Sequence, residues 1–271
     1  MKVAIRESGF DGNVLVWPLE MVLRRSAELG YQAVELNSTP DTATRGSGHP
    51  RGTRGVWAAD LDKHDRAKLR KTVESLGLEV SSLSTTWAGT HWTPNSIEKR
   101  DSALGILEQD IQLASDLGAS VILIHMGSAT GTWNDVRAFL TEAAKVAERV
   151  GVVKLGFESP LWLNLGLGDI SALVRMVDQV GSDHFGVYLH PMYPRGELLP
   201  HEEIELVGQR LVCLHSGPID PTLDYRAYFD ALKKVAYDGY WVFEVSGADI
   251  VDSREAWHKI VKKHWFRRPS R

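Results

Sequence analysis

The 271-residue chain holds one cysteine, Cys213, so no internal disulfide can form and the fold must rest on its own hydrophobic core. A lone thiol is compatible with a reducing compartment without establishing one. Nowhere does an apolar run approach the roughly 20 residues that a membrane-spanning helix requires. The opening MKVAIRESGFDG carries Lys2, Arg6 and Glu7 where a secretory signal would be apolar. A cytoplasmic protein with no membrane partner is the expectation. A basic patch is also missing: the net charge is −4 and the cationic residues are scattered, apart from KKHWFRRPSR at 262–271, so nucleic acid is not an expected partner. No Gly-x-Gly-x-x-Gly follows the first strand candidate, which removes the usual dinucleotide fingerprint.

What the chain does contain is an alternation of short β-branched runs with longer segments whose apolar residues recur every three or four positions. The strand candidates are residues 2–6, 33–37, 78–84, 120–125, 152–158, 185–190, 211–216 and 240–245. Helix candidates follow them, such as PLEMVLRRSAELG after the first and DYRAYFDALKKVAYDG after the seventh. Several close on glycine, in ELGYQAVEL, SLGLEV, DLGASVILI and DGYWVFEV, the usual C-terminal stop. Eight βα units without a linker predict an α/β fold, a single-domain (β/α)8 TIM barrel over residues 1–271, with an open doubly wound sheet as the competing arrangement. One connection, residues 38–60, is long for a barrel and carries Arg45, Arg51 and Arg54. It reads either as a lid whose arginines, Arg54 among them, meet an anionic group of the substrate, or as a plain excursion.

In a barrel of this kind chemistry sits at the C-terminal ends of the strands. There the chain places Glu35, His125, Glu158, His190, His215 and Glu244, on strand candidates 2 and 4 to 8. Strand side chains alternate, and the neighbours Phe157, Leu189, Leu214 and Phe243 are bulky and apolar. With those neighbours against the helices, Glu158, His190, His215 and Glu244 turn into the mouth. Two carboxylates and two imidazoles converging there are costly unless something offsets them, and a divalent cation does so. Mixed oxygen and nitrogen donors suit Mn²⁺, Co²⁺, Fe²⁺ or Zn²⁺ better than Mg²⁺. For any one of these residues, the alternative is an ordinary hydrogen-bonded polar group. Glu35 and His125 lie across the barrel and are expected as substrate contacts. Cys213, one pleat below His215, reads as core filler.

These residues carry a resemblance. The chain resembles the xylose isomerase-like superfamily of TIM barrels, the sugar phosphate isomerase/epimerase group, over nearly its whole length. The matching pieces are GYQAVEL at strand 2, LGASVILIHMG at strand 4, GFE at strand 5, CLH at strand 7 and YDGYWVFE into strand 8. The resemblance implies a divalent metal, often Mn²⁺, held from strands 5 to 8 by Glu158, the His190 position, His215 and Glu244. It also implies that Glu158 and Glu244 are the catalytic acid/base pair. Two departures stand out. Strand 6 ends on His190 with Tyr193 after it, where the family usually has Asp-x-x-His, and HSGPID follows strand 7 in place of the family's Lys-Asp.

The implied activity is that of an isomerase or epimerase of a sugar or related hydroxy-ketone, abstracting a proton next to a carbonyl through a metal-bound enediolate. A lyase of the same superfamily, either a dehydratase or an enzyme cleaving glycosides through a carbanion, shares the first step. A metal-free, non-catalytic barrel subunit is the reading from another class. Trp57, Trp87, Trp92, Trp133 and Trp162, with His91, fall in or beside mouth segments and suit stacking on a sugar, polyol or glycoside, or else anchor the loops. Trp257 and His264 to Phe266 either cover a partner in a homo-oligomer or hetero-assembly or pack on the chain's own last helix.

Overall fold

Residues rich in Val, Ile, Leu and Phe form eight short strands, β1 (Lys2–Arg6), β2 (Ala33–Ser38), β3 (Glu79–Thr85), β4 (Val121–His125), β5 (Lys154–Glu158), β6 (Phe185–Leu189), β7 (Leu211–Ser216) and β8 (Tyr240–Phe243). In the computed structural model, which describes residues 1–10, 17–38, 56–85, 97–125, 132–158, 170–191 and 198–264, they close into one parallel barrel in chain order. Helices α1 (Leu19–Glu28), α2 (Lys63–Ser75), α3 (Ile97–Leu117), α4 (Trp133–Val150), α5 (Ile170–Val180), α6 (Pro200–Val207), α7 (Tyr225–Lys234) and α8 (Asp249–His264) accompany them. The expected single-domain (β/α)8 barrel is therefore the observed fold. Among the described residues no helix is long and apolar enough to cross a membrane.

Local chemistry sets the helix ends. Asp62, Thr132 and Asp224 accept backbone N–H groups at the starts of α2, α4 and α7, satisfying donors that have no partner inside the helix. Gly30, Gly77 and Gly118 take the left-handed conformation where α1, α2 and α3 turn back to the sheet, as their positions predict. Gly239 does not. It is Ala236 that has positive φ after α7, while a side chain on Gly239 would meet the Tyr237 hydroxyl at 2.5 Å. Its absent Cβ gives room for close approach rather than a helix stop.

Two apolar layers result. Phe157, Leu189, Leu214 and Phe243 face the helices within the large outer core, where Trp241, Phe243 and Trp257 of α8 pack together. Trp257 is thus turned inward, onto the barrel. The interior holds Ala4, Ala33, Val121, Leu123, Tyr188, Cys213 and Val242, so Cys213 is barrel filler. Two register shifts decide what lies above that floor. Between β2 and β3, Val34 pairs with Val80 but Glu35 with Ser82, leaving Ser81 as the extra residue of a bulge. Between β6 and β7, Val187 pairs with Leu211 but Tyr188 with Cys213, leaving Val212 extra. Strict alternation from the outward Leu211 would point Leu214 inward. The bulge at Val212 inverts this and turns His215 into the barrel.

Candidate metal centre

Four consecutive strands deliver their last inward residue to one space. Glu158 ends β5, His190 follows β6, His215 is near the end of β7, and Glu244 follows β8, where its N–H still bonds Ser216 O at 2.8 Å. Glu158, His190 and His215 are buried, and each offers a ligand atom within 4.8 Å of the others. His190 Nδ1 lies 3.6 Å from Glu158 Oε1 and 3.4 Å from Glu244 Oε2. His215 Nδ1 lies 3.7 Å from the same two oxygens. Donors that share one ion at about 2.0–2.2 Å each sit roughly 3–3.5 Å apart, so this spacing is close to that of a coordination shell.

The orientation of His215 is set from below. Its Nε2 lies 2.9 Å from Glu35 Oε1, and a carboxylate only accepts, so Nε2 carries the hydrogen. The other oxygen of Glu35 accepts from the Tyr188 hydroxyl at 2.5 Å and the Ser82 hydroxyl at 2.7 Å. Nδ1 of His215 is then aimed at Glu158 and Glu244, buried and without a hydrogen-bond partner among the described residues. A carboxylate-braced imidazole with its free nitrogen toward further donors is the arrangement of metal-bound histidines. Burial works to raise the pKa of Glu35, but the charge and hydrogen bond of His215, with Arg6 and Tyr188, hold it at about 2. Burial works to lower that of His215, and Glu35 and Glu244 outweigh it, giving about 10.

Arg6, ending β1, is the cation of the site. It is buried and ion-paired to Glu244 Oε1 through Nη1, donates Nη2 to Ser84 Oγ at 3.1 Å and Nε to Asn37 Oδ1 at 3.3 Å, and passes 3.5 Å from Glu35 Oε1. Burial alone would raise the Glu244 pKa, yet Arg6 and then His215 hold it well below the carboxylate range. Three carboxylates, Glu35, Glu158 and Glu244, against one guanidinium leave two negative charges once a bound ion displaces the extra proton that the raised pKa places on His215. A divalent cation offsets that charge, and the donor set fits one.

The expected substrate contacts fare differently. Glu35 is fully buried under His215 with both oxygens engaged, the arrangement of a hydrogen-bonded polar group. His125 ends β4 with its backbone paired to Glu158, and its side chain lies outside the described residues. Trp133 opens α4, where its indole N–H donates to Gln179 at 2.7 Å and Arg175 stacks over its ring, so it bridges to α5. Trp87, His91, Trp92, Trp162, Arg54 and residues 39–55 of the expected lid lie outside the described residues. Ser38 and Val56 form a parallel bridge at the base of that connection. Arg6, Tyr188, Ser82 and Ser84 were not anticipated as site residues. Arg6 carried a legible signal, since KVAIR also ends a strand on a charged residue.

A family model described as Xylose isomerase-like TIM barrel matches residues 23–192. No curated protein matches the chain by sequence. Among solved structures, D-psicose 3-epimerase with D-tagatose from Clostridium cellulolyticum H10 is similar at TM-score 0.72 and 17% identity, covering 97% of this chain and 92% of that one. L-ribulose 3-epimerase gives 0.68 and 20%, covering 100% and 88%. The IOLI protein with a binding zinc atom gives 0.72 and 15%, covering 98% and 100%. At these identities the likeness is one of fold.

Proposed function

The chain belongs to the xylose isomerase-like TIM barrel family, and on that premise we propose that it is a divalent-metal-dependent isomerase or epimerase of a sugar or related hydroxy-ketone. The observation that carries the reading is the buried Glu158, His190 and His215 group, with His215 Nδ1 left open by the Glu35 contact on Nε2. Glu158, His190, His215 and Glu244 would hold the ion. When bound, it would offset negative charge developing on adjacent oxygens of a hydroxy-ketone as a proton leaves the carbon beside the carbonyl.

The protein's own groups handle that proton. Glu158 and Glu244 reach the centre from β5 and β8, and two carboxylates on different sides of a bound ketose allow removal on one face and return on the other. Glu244, kept ionised by Arg6, is poised to accept rather than to donate. The carbohydrate assignment draws support from the epimerase names borne by similar folds. Mn²⁺ is the first ion to test, followed by Co²⁺, Fe²⁺, Zn²⁺ and Mg²⁺; the zinc named with the IOLI protein keeps Zn²⁺ among them.

Incubation with each ion and a panel of ketoses and inososes in D₂O tests the reading. Solvent deuterium retained at carbon in an isomeric product is the expected result, and loss of water would instead make the protein a lyase. Metal analysis is the second arm. Absence of a stoichiometric divalent ion, or its undiminished retention in Glu158→Gln and Glu244→Gln, would overturn the proposal.

A further inference from the structure

Glu244 has one oxygen on each side of a divide. Oε1 is ion-paired with Arg6, whereas Oε2 faces the two imidazoles, 3.4 Å from His190 Nδ1 and 3.7 Å from His215 Nδ1. Its side chain is also 34% exposed, against 1% for His190 and 0% for His215, so the barrel wall does not by itself hold it in place. Arg6 is held. It ends β1 in register with Glu35 of β2, is buried, and has two further donors fixed by Asn37 of β2 and Ser84 of β3. The guanidinium is therefore oriented by three strands before it meets a carboxylate from a fourth.

We propose that Arg6 is a positioning residue that divides the Glu244 carboxylate, taking Oε1 for itself and presenting Oε2 as a single-oxygen ligand to the ion held by Glu158, His190 and His215. The inference rests on the metal-dependent reading above. A free carboxylate at a half-exposed site can rotate, chelate an ion with both oxygens, or swing into water. Held at Oε1 by Nη1 of a guanidinium whose Nη2 and Nε are fixed on Ser84 and Asn37, it presents one oxygen in one direction. Coordination that would otherwise go to the second oxygen is left for substrate. The guanidinium also stands as a fixed positive charge on the far side of Glu244 from the two imidazoles.

Two physical effects make opposite predictions, which renders the idea testable. Were Arg6 only a nearby charge, its removal would relieve repulsion and tighten cation binding. As a positioning group, its loss weakens binding, by about ten-fold on the scale of outer partners of metal ligands. The experiment titrates Co²⁺ into the full-length protein and reads both affinity and the visible d–d spectrum. Arg6→Lys, which keeps the charge and loses the fork, is expected to bind Co²⁺ about ten-fold more weakly and with an altered spectrum. In a Glu244→Gln background the same change is expected to matter less than about three-fold, because its target is gone.

Wild-type affinity and spectrum in Arg6→Lys would overturn the inference, as would tighter binding, or an undiminished effect in the Glu244→Gln background. Should Arg6→Lys not fold, Arg6→Gln/Glu244→Gln, which removes both charges together, is compared with Glu244→Gln alone. Equal Co²⁺ affinity supports the assignment and a further ten-fold loss refutes it. A wild-type protein that takes up no ion would instead sink the metal-dependent reading itself, so the two failures are distinct.

Discussion

Glu35 of β2 and His215 of β7 meet across the barrel interior at 2.9 Å, and this contact fixes which histidine nitrogen faces the candidate centre. An amide in place of the carboxylate keeps one accepting oxygen, so either the His215 Nε2–H or the Tyr188 and Ser82 hydroxyls lose their acceptor, and the negative charge beneath His215 is lost. Glu35→Gln is accordingly expected to weaken Co²⁺ or Mn²⁺ binding by about 10–100-fold. Equilibrium dialysis with metal quantification reads this directly.

Gly156 is a site of close approach. A Cβ there would lie 2.9 Å from Tyr188 Cδ2 and 3.0 Å from Tyr188 Cβ, so the ring must move if one is added. The Tyr188 hydroxyl would be drawn from Glu35, loosening the brace under His215. Gly156→Ala should lose about 1–3 kcal/mol of stability through overpacking, measured by urea unfolding. It should also lower metal affinity, whereas Tyr188→Phe should lower affinity with little strain.

Asp110 of α3 is buried, with Ser38 Oγ donating to it at 2.5 Å at the end of β2. Burial raises its pKa from 3.8 to about 7, against the opposing effects of Ser38 and Arg66. The folded state therefore binds this proton more tightly than the unfolded one. The stability it contributes is complete below about pH 4 and declines as pH rises to about 7, by on the order of 4 kcal/mol. Asp110→Asn should flatten the stability profile between about pH 4 and 7 and be the more stable protein at pH 8. A profile parallel to wild type in chemical denaturation would refute this.

Trp257 of α8 lies with its ring centroid 4.5 Å from Trp241 and 5.6 Å from Phe229. Trp257→Ala opens a cavity in the outer core and should cost about 3–5 kcal/mol, seen as a lower thermal midpoint. Because it acts on the far side of β8 from the centre, Co²⁺ affinity of the folded variant should stay within about two-fold of wild type.

Much of the barrel was legible because its signals are local. The period of the apolar residues, the glycines after α1, α2 and α3, and polar residues ending strand after strand depend only on neighbours in the chain. Glu158, His190, His215 and Glu244 stood out as candidate ligands for that reason. The sequence leaves Glu35 open between substrate contact and hydrogen-bonded polar group because its partners are remote: His215 is 180 residues away and Tyr188 is 153. Between stacking residue and loop anchor, Trp133 is equally undecided in the sequence, because Gln179, which accepts its indole N–H from α5, is 46 residues on. Arg6 was passed over because a lone arginine near a chain's start looks like surface until Glu244, 238 residues later, is brought against it.

By itself, then, the amino-acid sequence determined the alternation of elements, the closed barrel that eight such units favour, and the set of acidic and imidazole groups carried to one end. These follow from side-chain periodicity and backbone preference, which act over a few residues. Only the tertiary structure decided how those groups are used. The extra residues Ser81 and Val212 shift the strand registers, turning His215 inward and setting Ser82 opposite Glu35. Barrel closure pairs β8 with β1, bringing Glu244 to Arg6. Which carboxylate braces a histidine and which faces the centre depends on distances across the barrel that only the folded chain establishes.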